Sequence, residues 1–191
     1  MKYFTSDLHI GDDRLGIIPN KPNVFYRPFK SIKEQNDIIL NNLRDIKPND
    51  ELYILGDVVY DLSYIRELDR LPNCTRILIK GNYDTDKLNY LFPYFDYVHE
   101  HLILIEDGFD STIYMNHYPT KCMEYMKKYS ECKLSFTGHI HSLWKVQPNM
   151  INVSTDVWNY KPIDIDTLKF CWEACQKFYD QNVFPYKKFI R

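Results

Sequence analysis

The sequence predicts an α/β fold in which two β-sheets lie between outer helices. Three observations predict it. The first half alternates apolar strand-like runs with helical stretches, as parallel βαβ units do. The second half is mostly short strand-like runs. The helical stretches carry an apolar stripe on one face, so each must pack against a sheet.

In chain order, KYFTS (2–6) reads as a strand, and residues 11–30 hold Gly, Pro and Asn at many positions and read as a long loop. Ser31 with Glu34 is a capping-box signature, after which Ile32, Ile38, Ile39 and Leu43 line one helical face. ELYILGD (51–57) is a strand that stops at a glycine. A helix is expected from about 61 to 71, with Ile65, Leu68 and Leu71 inward. TRILIKGN (75–82) is the next strand. The second half offers YVHEHLILIE (97–106), STIYMNH (111–117), KLSFTGH (133–139), LWKVQ (143–147) and MINVST (150–155) as strands, with one helix at roughly 120–130. A last helix, from about 164 to 180, puts Leu168, Cys171, Trp172, Cys175 and Phe178 on one face. Neither a repeat nor a linker divides the chain, so residues 1–191 are expected to form one domain.

Composition narrows the function classes. The formal net charge of −2 speaks against general binding of duplex DNA, which requires a basic footprint. The local basic clusters, Lys127–Lys128 and the terminal YKKFIR, read as solvated surface. No apolar run is long enough to span a membrane, and the N-terminal MKYFTSDLHIGDD turns acidic too early for a signal peptide. The five cysteines are odd in number and lack CxxC spacing, which points to a reduced, cytoplasmic compartment.

The glycines and histidines carry the chemistry. Gly56, Gly81 and Gly138 are three of only six glycines, and each ends an apolar strand and precedes a residue able to bind metal: ILGD, LIKGN and SFTGH. Ligands bind at such strand ends in α/β sheets. FTSDLH adds Asp7 and His9, and IYMNH adds His117. GHIH adds His139 and His141, which can face one side of an extended segment. The set is then Asp7, His9, Asp57, Asn82, His117, His139 and His141. Carboxylate, imidazole and carboxamide donors without thiolate suit Mn, Fe or Zn at a reactive site better than a structural zinc cage. Seven donors are too many for one such ion and fit two ions about 3.5–4 Å apart that share a carboxylate. His99 and His101, in YVHEHL, read as ordinary packing or surface residues.

The order DxH, GD, GNxD, NH, GHxH resembles the calcineurin-like metallophosphoesterase superfamily, over nearly the whole chain, from Asp7 to His141. The segment NVSTDVWNYKPI, running into a terminal helix, is similar to a small single-domain subgroup of phosphoesterases in bacteria and their phages. The resemblance implies a four-layer αββα sandwich. It implies that Asp7, His9 and His141 hold one divalent cation, that Asn82, His117 and His139 hold a second, and that Asp57 bridges them. Mn²⁺ is the first expectation, with Fe, Zn, Ni or Co as other occupants. A hydroxide between the ions would attack phosphorus in line, on a small phosphodiester or nucleotide-like ester.

Asp57, Asn82, Tyr83, Asp84 and His117 are the residues this resemblance brings to catalysis, with Asn82, Tyr83 and Arg27 at the substrate. Two departures matter. Protein phosphatases of the superfamily follow GD with an Asp-Arg-Gly element, whereas this chain reads GDVVYDLSY and lacks that arginine. Arg27 and Arg14, from the long first loop, are the candidates to hold a phosphate instead, the alternative being ordinary solvated loop arginines. Where family members commonly carry a histidine near the leaving group, oriented by the following aspartate, this chain has Tyr83 before Asp84. A phenol donates a hydrogen bond but is a poorer proton source than imidazolium. Either Tyr83 donates to good leaving groups or it packs beside the site. Two other classes stay open: a scaffold of the same fold without turnover, and a nuclease acting on single-stranded ends.

Overall fold

A computed structural model describes residues 1–14 and 27–179 of the protein, as an α/β sandwich of two mixed sheets. Strands β1 (Lys2–Thr5), β2 (Glu51–Ile54), β3 (Thr75–Ile79) and β4 (Tyr97–His99) pair in parallel, as the strand–helix alternation requires. Helix α1 (Ile32–Leu43) lies between the first two strands in sequence, and the short α2 (Leu88–Leu91) precedes β4. The second sheet holds β5 (Leu102–Leu104), β6 (Thr112–Met115), β7 (Cys132–Thr137), β8 (Val146–Gln147) and β9 (Met150–Asn152) in the order β5-β6-β7-β9-β8. Its three central strands run parallel and its two edge strands antiparallel. Helix α3 (Pro119–Lys128) connects β6 to β7. The two-residue strand β10 (Ile163–Asp164) then returns antiparallel to β1 and leads into α4 (Ile165–Phe178).

Three apolar clusters show how the layers stack. Phe4, Tyr53, Leu55, Ile77 and Ile79 of the first sheet meet Ile113, Met115, Leu134, Phe136 and Ile151 of the second. Ile39, Leu40 and Leu43 of α1 pack with Leu68 against Leu52, Ile54 and Leu78 on the outer face of the first sheet. Cys122 of α3 packs against Tyr114, Cys132 and Met150 on the outer face of the second. The central strands of both sheets therefore show apolar residues to both sides, as in doubly covered sheets.

Several sequence expectations change, and the strand expected at 143–147 shortens to Val146–Gln147. The stretch expected as a helix at 61–71 is a 3₁₀ helix, Leu62–Arg70, with Asp61 capping the Ser63 N–H. Its apolar residues recur every third position, which matches three residues per turn. The run 97–106 is two strands in different sheets, because the polar His99-Glu100-His101 interrupts it and Lys80 holds Glu100 at the crossover. In α4 the buried face is Ile165, Leu168 and Trp172, whereas Phe178, at the end of the helix, is largely exposed. Position 180, most of the expected 11–30 loop and the terminal YKKFIR lie outside the described residues. Ser31 caps α1 as expected through the Glu34 N–H, but the Glu34 carboxylate reaches back to the Lys30 N–H. No helix among the described residues is long and apolar enough to cross a membrane, and all five cysteines are free thiols.

Candidate metal centre

The strand ends converge at one edge of the sandwich. The backbone after β1 bonds to the backbone after β2, with Asp7 N–H to Gly56 O (2.9 Å) and His9 N–H to Asp57 O (2.9 Å). Gly56 has φ +87°, and a Cβ there would lie 2.5 Å from His117 Nδ1 and 2.6 Å from the Gly81 nitrogen. Only glycine permits three ligand-bearing loops to come this close.

The candidate ligands form two groups. Asp7, His9 and His141 bring one donor atom each within 4.8 Å of one another, and so do Asp57, His117 and His139. Asn82 joins the second group, with Oδ1 3.2 Å from His117 Nε2 and 3.0 Å from His139 Nδ1. Asp57 connects the groups: its Oδ2 lies 3.5 Å from His9 Nε2 and 3.3 Å from His117 Nε2. Its Oδ1 accepts the Tyr83 N–H at 2.9 Å, which fixes the carboxylate plane.

Five of these residues have a left-handed backbone: Asp7, His9, Asp57, His139 and His141, with φ between 48° and 73°. Among described non-glycine residues only Asn159 and Tyr160 share it. Such backbone is costly for L-residues and collects at functional sites. It also corrects the picture of an extended GHIH segment. His139 and His141 each sit in the left-handed region, and they join different groups.

The imidazoles are aimed by their second nitrogens. His9 Nδ1 meets Asp12 Oδ2 (3.1 Å), His117 Nδ1 donates to Leu55 O (2.7 Å), and His141 Nδ1 meets Asp156 Oδ2 (2.7 Å). Partners of this kind set the tautomer of metal-binding histidines. The donor set fits cations, because His9 Nε2 is buried and makes no hydrogen bond although carboxylates surround it. The electrostatics agree. Burial pushes Asp57 upward, but the His117 and His9 imidazoles hold it well below the usual carboxylate range. Burial opposes the charge on His117 too, yet Asp57 and Asp7 push it up to about 9. His139 is lowered by burial and by His117.

A crystal structure from Aquifex aeolicus, described as the protein of unknown function AQ665, superposes with a TM-score of 0.67. The two are 30% identical over 88% of this chain and 98% of that one. The chain belongs to the AQ665 family. The uncharacterized protein MJ1445 of Methanocaldococcus jannaschii is 26% identical over 155 residues, 74% of this chain and 77% of that relative. No family model matches the sequence.

In this member of the AQ665 family two expected roles move. Arg27, expected at the substrate, is 1% exposed and lies behind the first group. Its Nε and Nη2 donate to the Asp156 carboxylate at 2.8 and 3.0 Å, and its Nη1 and Nη2 donate to Leu8 O and Asp7 O. Asp84 does not orient the Tyr83 side chain. It is fully buried and accepts the N–H groups of Asp57, Gly81 and Val58, tying the GD and GN loops together. Tyr83 stands at the rim, half-buried and edge-on to His9 at 5.1 Å, with Arg14 beside it. His99 and His101 pair with Tyr97 and Tyr114, and neither belongs to a candidate metal group.

Sequence reasoning missed Asp12 and Asp156. Burial opposes their charge, but Arg14 and His9 hold Asp12, and Arg27 and His141 hold Asp156, well below the usual carboxylate range. Asp12 stands three residues after His9, a spacing that could have drawn attention, whereas Asp156 meets His141 only through the fold. Tyr118 was missed as well, its ring lying 5.0 Å from both His117 and His139.

Proposed function

We propose that the protein is a dinuclear metal-dependent phosphoesterase with the four-layer αββα metallophosphoesterase fold, acting on a small phosphodiester or nucleotide-like ester. The observation that carries the reading is Asp57 Oδ2, within 3.5 Å of one imidazole from each ligand group. One carboxylate between two sets of oxygen and nitrogen donors suits a pair of divalent cations, with Mn²⁺ the first choice. When bound, such a pair would lower the pKa of a water held at the centre and offset charge on the transferring phosphoryl group.

The chain's own residues supply the rest. Asp7, His9 and His141 would hold one cation and His117, His139 and Asn82 the other, with Asp57 shared. Asp12, Leu55 O and Asp156 keep three imidazole Nε2 atoms turned to the centre. Asp84 holds the Asp57 and Asn82 loops at fixed separation. Exposed His139 and Asn82 leave the second group open to an incoming ester, and the Tyr83 hydroxyl stands at the rim as a hydrogen-bond donor to a departing oxygen. Five free thiols fit a reduced, cytoplasmic setting.

The test is turnover of Mn²⁺-loaded protein on a bis-aryl phosphodiester and an aryl phosphomonoester, with Asp57→Ala as the control. The expected result is diester cleavage that falls by at least about 10³-fold in the variant, the scale at which a central electrostatic group is lost. Two bound cations without cleavage of either ester would instead favour a binding scaffold. Cleavage of a single-stranded oligonucleotide alone would redirect the reading to a nuclease.

A further inference from the structure

Beside the ligands lies a set of contacts that holding cations does not require. Arg14 Nε and Nη2 donate to Asp12 Oδ1 and Oδ2 at 2.9 and 2.8 Å, and Asp12 in turn holds His9. Nη2 also donates to the Tyr83 hydroxyl oxygen at 3.1 Å. The guanidinium carbon sits 3.9 Å from the centroid of the Tyr60 ring, and Tyr60 packs against Tyr83 with centroids 5.4 Å apart. Lys87 Nζ donates to the Tyr83 carbonyl at 2.8 Å, and the Tyr83 N–H is taken by Asp57 Oδ1. Tyr83 is thus held at its backbone, its ring and its oxygen.

The chemistry of the donors gives this a direction. A guanidinium can only donate, so the phenol oxygen spends a lone pair on Arg14 and keeps its own proton for another acceptor. A cation on that oxygen also polarises the O–H and strengthens it as a donor. Bidentate pairing to Asp12 and stacking on Tyr60 hold the guanidinium in one pose, which a lysine could not reproduce. We infer that Arg14 is a positioning residue that orients the Tyr83 hydroxyl toward the leaving-group oxygen of an ester at the metal centre. Selectivity for esters of acidic alcohols and phenols follows, because a hydrogen bond from phenol helps a poor leaving group less than full protonation would. The inference rests on the phosphoesterase reading.

Wild type, Arg14→Gln, Tyr83→Phe and the double variant, loaded with Mn²⁺, are compared on aryl phosphodiesters whose phenols grow progressively less acidic. Arg14→Gln should lower kcat about tenfold on the least acidic leaving group and less than about twofold on the most acidic. The double variant should be no worse than Tyr83→Phe. An equal loss across the series, or a loss that persists undiminished in the Tyr83→Phe background, overturns the inference, since Arg14 would then act through Asp12 and His9 or on the phosphate and not through Tyr83. A second readout needs neither cations nor turnover. With ¹³Cζ-labelled tyrosine, the resonance missing in Tyr83→Phe should move in Arg14→Gln, and an unmoved resonance overturns the inference even in an active enzyme. Absence of turnover in wild type, with a moved resonance, overturns the phosphoesterase reading and this inference with it, while the contact itself stands.

Discussion

His141 is 6% exposed and its Nδ1 is held by the Asp156 carboxylate, whereas His139, two residues earlier, is exposed and faces the carboxamide of Asn82. The contrast extends across the centre. Asp7, His9 and His141 are all buried, and behind them stand the charged residues Asp12, Asp156 and Arg27. In the other group Asp57 and His117 are buried as well, with Leu55 O and the Asp84 carboxylate behind them, but His139 and Asn82 open to solvent. One half of the centre is thus sealed by buried ion pairs, and the other is open along one edge. Buried ion pairs hold geometry firmly because breaking them leaves a charge without a partner. The two exposed ligands of the second group, His139 and Asn82, are reachable from solvent.

The largest expected effect breaks the sealed half. Arg27→Ala strands the Asp156 carboxylate, which is itself only 7% exposed, and should destabilise the metal-free protein by about 3–5 kcal/mol in urea unfolding. The exposed Lys33–Asp37 pair provides the contrast, since Lys33→Ala should leave the unfolding midpoint nearly unchanged. Similar costs at the two positions would show that Arg27 is not a structural clamp. Next comes Asp156→Asn, which removes the charged partner of His141. It should weaken one of two Mn²⁺ equivalents by about 10–100-fold in chelator competition and leave the other unchanged. If both equivalents weakened alike, the two halves would be one coupled site and the contrast would fail. The smallest effect belongs to the histidines outside the centre. Replacing His99 and His101 together with Gln should leave metal content by elemental analysis unchanged, and a lost equivalent would reassign them.

Much of the centre was legible in the chain because the information is local. A glycine at a strand end followed by an Asp, Asn or His is readable where β2, β3 and β7 run out and names Asp57, Asn82 and His139, while Asp7, His9, His117 and His141 stand just past strand ends in FTSDLH, IYMNH and GHIH. Strand–helix alternation likewise located β1 to β3 and α1, since periodicity is a short-range property. The misreadings share a physical cause. Arg27 looked like a loop arginine free to grip phosphate, but its partner Asp156 lies 129 residues away. Asp84 looked like a neighbour for the Tyr83 side chain, yet its carboxylate faces three backbone N–H groups. The 97–106 run looked continuous because apolar residues on both sides of His99-Glu100-His101 belong to different sheets, and pairing partners cannot be read from one strand.

By itself the sequence determined the type of donor and the strand ends that carry them, because residue chemistry and hydrophobic period are written residue by residue. The division of the donors into two groups about Asp57 was implied by the family resemblance and not by the residues themselves, and tertiary structure alone decided that five of them adopt a left-handed backbone. It also decided that Arg27 faces inward while Arg14 reaches the rim. These properties depend on the packing of loops far apart in the chain, and that packing exists only once both sheets have closed on their common core.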